Sequence, residues 1–265
     1  MSILGQYNIL GFYSSLTSRA WNKQIATGAD EETFRVFLQT NKIPAIQLIV
    51  DTATTATVQV FDINDVSVGS AQSMTVESIT SGKRLIYLGN TLSGNDDGDY
   101  YLRVTINGST YLYSDVFGWT SNSSYLSKLT KISAVSSNIR LGTSYLLNLT
   151  GFTSECYVNA EYLGVSPEAQ DEVTERYGTI NILYSAMIPK HEFNVYGTEY
   201  IQRFLLGLRV LEANGTVTIT HNGISYTAND ITAEVSDETV PGIAFILKFS
   251  FVDHSEIISA YNEIN

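Results

Sequence analysis

Apolar and polar positions alternate with a period of two along much of the chain, and turn residues punctuate the alternation. Tyr101-Leu102-Arg103-Val104-Thr105-Ile106, then Asn107-Gly108, then Ser109-Thr110-Tyr111-Leu112-Tyr113-Ser114 predicts a β-hairpin. Asn-Gly tolerates the positive φ angles of a type I′ turn, whose twist matches the flanking strands. A two-residue loop pairs Ile106 with Ser109, Val104 with Tyr111 and Leu102 with Tyr113, and so turns both tyrosines toward the core. Val217-Thr218-Ile219-Thr220-His221, Asn222-Gly223, Ile224-Ser225-Tyr226-Thr227-Ala228 repeats the device. There Val217, Ile219, Ile224, Tyr226 and Ala228 share a face. Further strands are predicted over Ala45–Val50, Ala56–Phe61, Arg84–Leu88, Ser144–Leu149, Cys156–Ala160, Ile180–Ala186 and Ala244–Phe251.

One segment follows a different period. Across Thr198–Leu211, the residues Ile201, Phe204, Leu205, Leu208 and Leu211 recur at i, i+3, i+4, i+7 and i+10, one stripe of an amphipathic helix. Glu199 suits the positive end of that helix, while Gly207 weakens it. A shorter helix is predicted over Glu31–Leu38. The expected fold is therefore mainly β, with two antiparallel sandwich- or barrel-like domains, the second carrying one packed helix. An N-terminal arm covers 1–43, a first domain 44–119 and a second 120–265, with the break at the small polar run Gly118–Ser124. The arm's Leu4, Ile9, Leu10, Phe12, Tyr13 and Trp21 are apolar without periodicity, which predicts packing on an adjacent subunit.

Charge narrows the function. The 265 residues hold 27 acids against 15 bases, for a formal charge of −12, which argues against a nucleic-acid-binding face. Cys156 is the only cysteine, so an intrachain disulfide framework is excluded and a small buried residue is expected. No apolar run approaches a membrane span. Met1–Asn8 lacks a basic stretch followed by an apolar core, so no secretory leader is expected.

Familiar chemistry fails position by position. His191-Glu192 opens like a zinc-protease helix but has no second histidine, and His221 and His254 stand apart from any ligand spacing. Gly82-Lys83 is followed by Arg84, and Glu77 stands where a phosphate loop needs glycine. Ser93–Asp99 resembles the opening of a calcium loop, yet Ser93 replaces the first Asp and Val104 the bidentate Glu. Calcium binding and a polar turn both remain readings of it. Glu168, Asp171, Glu172 and Glu175 form an acidic cluster after Pro167, expected as a solvated loop or helix face. Four Asn-x-Ser/Thr sequences, at Asn107, Asn122, Asn148 and Asn214, read as turns. Catalytic, cofactor and metal residues are therefore expected to be none.

Two stretches resemble structural proteins of tailed bacteriophages that infect Bacteroidota, the crAss-like group included. Gly98–Val104 through Tyr111–Phe117 looks like the closing strands of a small β-sandwich. Ile188–Phe193 through the helix to Val217–Thr220 and Ile231–Val235 is similar to a C-terminal domain in those proteins. The resemblance implies a non-enzymatic virion subunit, assembled in the host cytoplasm in many copies within tail, neck or baseplate. Its implied partners are sister copies and portal, tail or neck proteins, with no small-molecule substrate. A receptor- or glycan-binding module is the alternative, since tyrosine-rich faces stack on sugars.

Overall fold

The computed structural model describes residues 8–15, 31–79, 82–136, 151–176, 179–213, 215–240, 244–256 and 258–261. In chain order, the first half holds β1 (Phe12–Tyr13), α1 (Glu31–Phe34), β2 (Val36–Gln39), β3 (Lys42–Ile43), β4 (Ile46–Val50), β5 (Ala56–Asp62) and β6 (Ser67–Ser73). It continues with β7 (Thr75–Ile79), β8 (Gly82–Tyr87), β9 (Asn90–Thr91), β10 (Gly98–Ile106), β11 (Thr110–Ser114) and β12 (Phe117–Thr120). The second half holds α2 (Ser123–Leu126), β13 (Thr130–Ser136), β14 (Thr153–Val158), β15 (Ala160–Arg176), β16 (Thr179–Thr198) and α3 (Glu199–Glu212). After these come β17 (Gly215–His221), β18 (Ile224–Thr227), β19 (Asn229–Val240), β20 (Ala244–Val252) and β21 (Ile258–Tyr261). The predicted strand Ser144–Leu149 lies outside the described residues.

The fold is mainly β, as the period-two alternation predicts, and it carries the packed helix. In the first half, β5, β10 and β11 face the three-stranded sheet β4-β8-β7, with Val58, Val60, Leu102, Val104 and Ile106 buried opposite Leu48, Val50 and Leu85. In the second, β14, β13 and β17 face a four-stranded sheet ordered β15-β16-β20-β19. One long sheet runs through both halves in the order β1-β11-β10-β12-β2-β14-β13-β17-β18. Its middle is β2, parallel to β12 on one side and joined to β14 on the other through the pair Tyr157 and Phe37. A Cβ at Gly118 would meet the Phe37 ring at 2.6 Å, so this crossing admits only glycine without a shift. The run expected as a domain break thus contains most of β12 and the start of α2, which Asn122 caps by accepting from the Tyr125 N–H at 3.1 Å.

Helix α3 matches its predicted stripe. Ile201, Phe204, Leu205, Leu208 and Leu211 are all buried against β19, β17 and β13, and Gly207 is buried with them. Glu199 and Arg203 pair one turn apart on the outer face, and Arg209 complements the carbonyl end.

Three expectations need correcting. The first hairpin closes over three residues rather than two: Ile106 pairs with Thr110, Thr105 with Tyr111, Val104 with Leu112 and Arg103 with Tyr113. Asn107 and Gly108 do adopt the positive φ angles of the turn (51° and 72°), but Ser109 joins the loop. The Asn107 side chain accepts from the Thr54 and Thr55 N–H groups and donates to Thr52 O, which ties the turn to the loop before β5. A one-residue slip reverses the faces. Leu112 is therefore buried and Tyr111 is 40% exposed. Second, the helix predicted over Glu31–Leu38 stops at Phe34, because Val36–Gln39 is needed as β2. Third, the acidic cluster lies on a strand, with Glu168, Asp171, Glu172 and Glu175 opposite Ile188, Ser185, Tyr184 and Ile180. The second hairpin keeps its predicted register, pairing Ile219 with Tyr226 and Thr220 with Ser225.

Replacing Leu208 with Ala should lower unfolding stability by about 2–5 kcal/mol, because the side chain is fully enclosed and its removal leaves a cavity. Replacing the exposed Leu206 should change little. Urea denaturation of both variants checks the contrast.

Candidate assembly surface

The hairpin β15–β16 dominates the four-stranded sheet. β15 is 17 residues long and β16 is 20, and they pair from Ala160 and Val195 to Arg176 and Thr179. β20 accompanies β16 only over Lys190–Thr198. Beyond the row Ser166, Lys190 and Val252, the ribbon Pro167–Arg176 projects about 33 Å at ~3.3 Å per residue. β21 flanks it over Tyr184–Met187. Among the described residues, β15 and β19 each have a strand on one side only.

Both edges carry marks of an interface and of protection. Leu163 and Val165 on β15 are 47% and 46% exposed, and Val235 on β19 is 38% exposed. Register shifts fall beside them, between Tyr162 and Gly164 and between Val235 and Asp237. Pro167 and the acids of β15 are the residues that blunt an open edge against indiscriminate pairing. At the start of β19 a side chain replaces the missing strand: the Glu212 carboxylate accepts from the Asp230 N–H at 2.7 Å.

One face of this sheet carries two polar rows. One row crosses all four strands as Glu161, Asn194, Lys248 and Glu234, and the next holds Gly164, Glu192, Ser250 and Thr232. Lys248 pairs with Glu192 at 3.3 Å, Asn194 donates to Glu161 at 3.5 Å, and the Thr232 and Ser250 hydroxyls lie 2.6 Å apart.

The singled-out residues take structural places. Cys156 is fully buried on β14, and burial pushes its thiol up, out of the reactive range. Sequence spacing keeps His191 and His221 apart, yet the fold brings both rings to Tyr162, from different sheets. His191 is buried, stacks on Phe251 and meets the Tyr162 hydroxyl at 3.0 Å. His221 sits edge-on to Phe193, 2.8 Å from the Thr130 hydroxyl, and burial lowers its pKa. His254 pairs with Asp230 at the surface. The neighbouring Asp253 loses solvation, which alone would raise its pKa, but hydrogen bonds from Ser255 and the Thr227 N–H outweigh this and hold it below the usual carboxylate range.

The calcium-like loop is a latch. Asp97 accepts from the Thr40 hydroxyl and the Ser121 N–H, in that order the main causes of its lowered pKa. Asp99 pairs with Arg35 at 2.6 Å, and Asn95 donates to Asn41 at 2.8 Å. Loop and β12 are thereby fastened to the β2–β3 turn. Among the described residues, no three His, Cys, Asp or Glu side chains gather as a metal site, and no helix is long and apolar enough to cross a membrane.

Ile9, Leu10 and Phe12, expected on a neighbour, are buried in this chain's own core. Tyr13 meets Tyr200 of α3 edge-on, and Gly11 lies so close to that ring that a Cβ would stand 2.4 Å from it. Leu4, Trp21, Asn148 and Asn214 fall outside the described residues.

Two grooves indent the long sheet. One, of about 250 Å³, lies between Lys42–Pro44, Leu88–Thr91 and the start of β14. The other, of about 340 Å³, has Leu126, Leu129 and Tyr157 in its walls and the Ser121, Ser123 and Ser127 hydroxyls around it. Burial works against the charge of Lys131 beside it, but the Glu155 carboxylate at 2.8 Å prevails and leaves the Lys131 pKa raised.

No family model, curated protein or solved structure matches the chain.

Two outcomes follow. A base whose folded pKa is depressed contributes stability present above its ordinary pKa near 6.5 and lost as pH falls through the folded value. His221→Gln should therefore flatten the fall of the thermal midpoint below pH 6.5, read by scanning calorimetry. Asp97→Ala should destabilise by about 1 kcal/mol through the lost hydrogen bonds, read as a lower urea midpoint at neutral pH.

Proposed function

We propose that the chain is a non-enzymatic virion subunit that closes into a multi-copy ring or adaptor of a phage tail, neck or baseplate. The observation that carries this reading is the four-stranded sheet β15-β16-β20-β19, antiparallel throughout and open at both ends among the described residues. In such a sheet an even number of strands makes the two edge strands run in opposite directions. A sister copy added head to tail then sets its β19 antiparallel to β15, and the next copy repeats the contact. This is a heterologous interface, which closes when its rotation divides a full turn. The projecting ribbon supports the same reading, since a hairpin reaching beyond its body is marginal in water without further packing. The resemblance of Gly98–Phe117 and Ile188–Val235 to virion proteins points the same way, as does the failure of the catalytic signatures.

A second reading, a glycan-binding module, draws on the groove at Tyr157, where an aromatic wall and a rim of hydroxyls suit a saccharide face.

Native mass spectrometry and negative-stain imaging of the purified chain should show closed rings of one size, and purified particles should contain the chain at fixed stoichiometry. A monomer at every concentration tried, absent from particles, would overturn the ring. Saturable binding on a glycan array, abolished by Tyr157→Ala, would favour the second reading.

A further inference from the structure

The edges that meet in such a ring carry charge of one sign. Over the rows that both edges span, from Ala160 and Val235 to Ser166 and Asn229, β15 contributes Glu161 and β19 contributes Asp230 and Glu234, with no base on either. Where the rows continue straight across the junction, Glu161 of one copy stands opposite Glu234 of the next, since both belong to the row through Asn194 and Lys248. Like charges directly opposed on adjacent strands destabilise the pairing. The lysine of that row does not relieve them: Lys248 is bound to Glu192, two strands from Glu161 and one from Glu234. Glu234 has no ion-pair partner among the described residues, and Glu161 accepts only a weak bond from Asn194.

Backbone pairing and the exposed Leu163, Val165 and Val235 therefore favour contact between copies, while carboxylates oppose it. Resting on the ring reading above, we propose that the seam between β15 of one copy and β19 of the next is a charge-controlled interface, closed when counter-ions screen its acids and held open when they do not. The screening length is about 30 Å at 0.01 M ionic strength and about 3 Å at 1 M, so the acids repel across the whole edge in dilute salt and barely beyond contact in concentrated salt. The device lets a subunit accumulate unassembled at low screening without hiding its edges.

The test is assembly of the full chain between 20 mM and 1 M sodium chloride, followed by light scattering and native mass spectrometry. Wild type should pass from monomer to ring as salt rises. E161Q/E234Q should form rings in dilute salt, with association per seam on the order of tenfold stronger there and little changed in 1 M salt. D51N/D96N removes the same number of charges away from the seam and should behave as wild type; circular dichroism confirms that all three fold. If wild type and E161Q/E234Q assemble alike at every salt concentration, or if D51N/D96N gains as much, the charged seam is wrong and the ring stands. If no protein forms a ring at any salt concentration, both fall.

Discussion

A strand in a folded protein has two rows of backbone donors and acceptors, and each row must find a partner, a cover or water. This chain meets the requirement in three ways. About half of the described strands pair on both sides. Several edges are finished by a side chain that imitates a strand: Asn8 exchanges both bonds with Gln47 of β4 at 2.8 Å, Glu212 takes the first N–H groups of β19, and Asp253 takes the Thr227 N–H. β15 is left open among the described residues, and its remedy is Pro167 with carboxylates instead of a partner.

The same requirement explains why one sheet runs through both halves. β2 is four residues long, yet it supplies a parallel neighbour to β12 and an antiparallel contact to β14. Its side chains serve both layers: Leu38 enters the main core, while Phe37 joins Leu126 and Leu129 beneath α2. The Asp97 latch and the Arg35 pair with Asp99 reinforce that crossing from outside. The N-terminal segment adds Ile9, Leu10 and Phe12 to the main core, and Gly11 and Tyr13 lie against Tyr200 of α3.

Legibility in the sequence tracked how local each determinant was. α3 was readable because its stripe is set by residues three and four apart. The Asn222-Gly223 hairpin was readable because the turn alone fixes its register. The Asn107-Gly108 hairpin was misread by one residue because the Thr52–Thr55 loop, some fifty positions earlier, holds the turn through the Asn107 side chain. β2 lay hidden because its pairing is entirely long-range, and its Phe37 and Leu38, with Phe34 just before it, imitate a helical face. β15 was concealed by the very residues that protect it, since proline and clustered acids read as loop. The proximity of His191 and His221 left no trace in spacing because two sheets had to meet before it existed. Exposed Leu163, Val165 and Val235 sit at register shifts, and no local pattern foretells which residue a bulge will turn outward.

The solitary thiol of Cys156, sealed within β14, has a practical corollary. A maleimide dye or spin label will find nothing native to react with in the folded chain, so one cysteine introduced on the projecting ribbon becomes a unique address. Distances measured from that address would follow the ribbon in solution without first stripping the protein of its own sulfur.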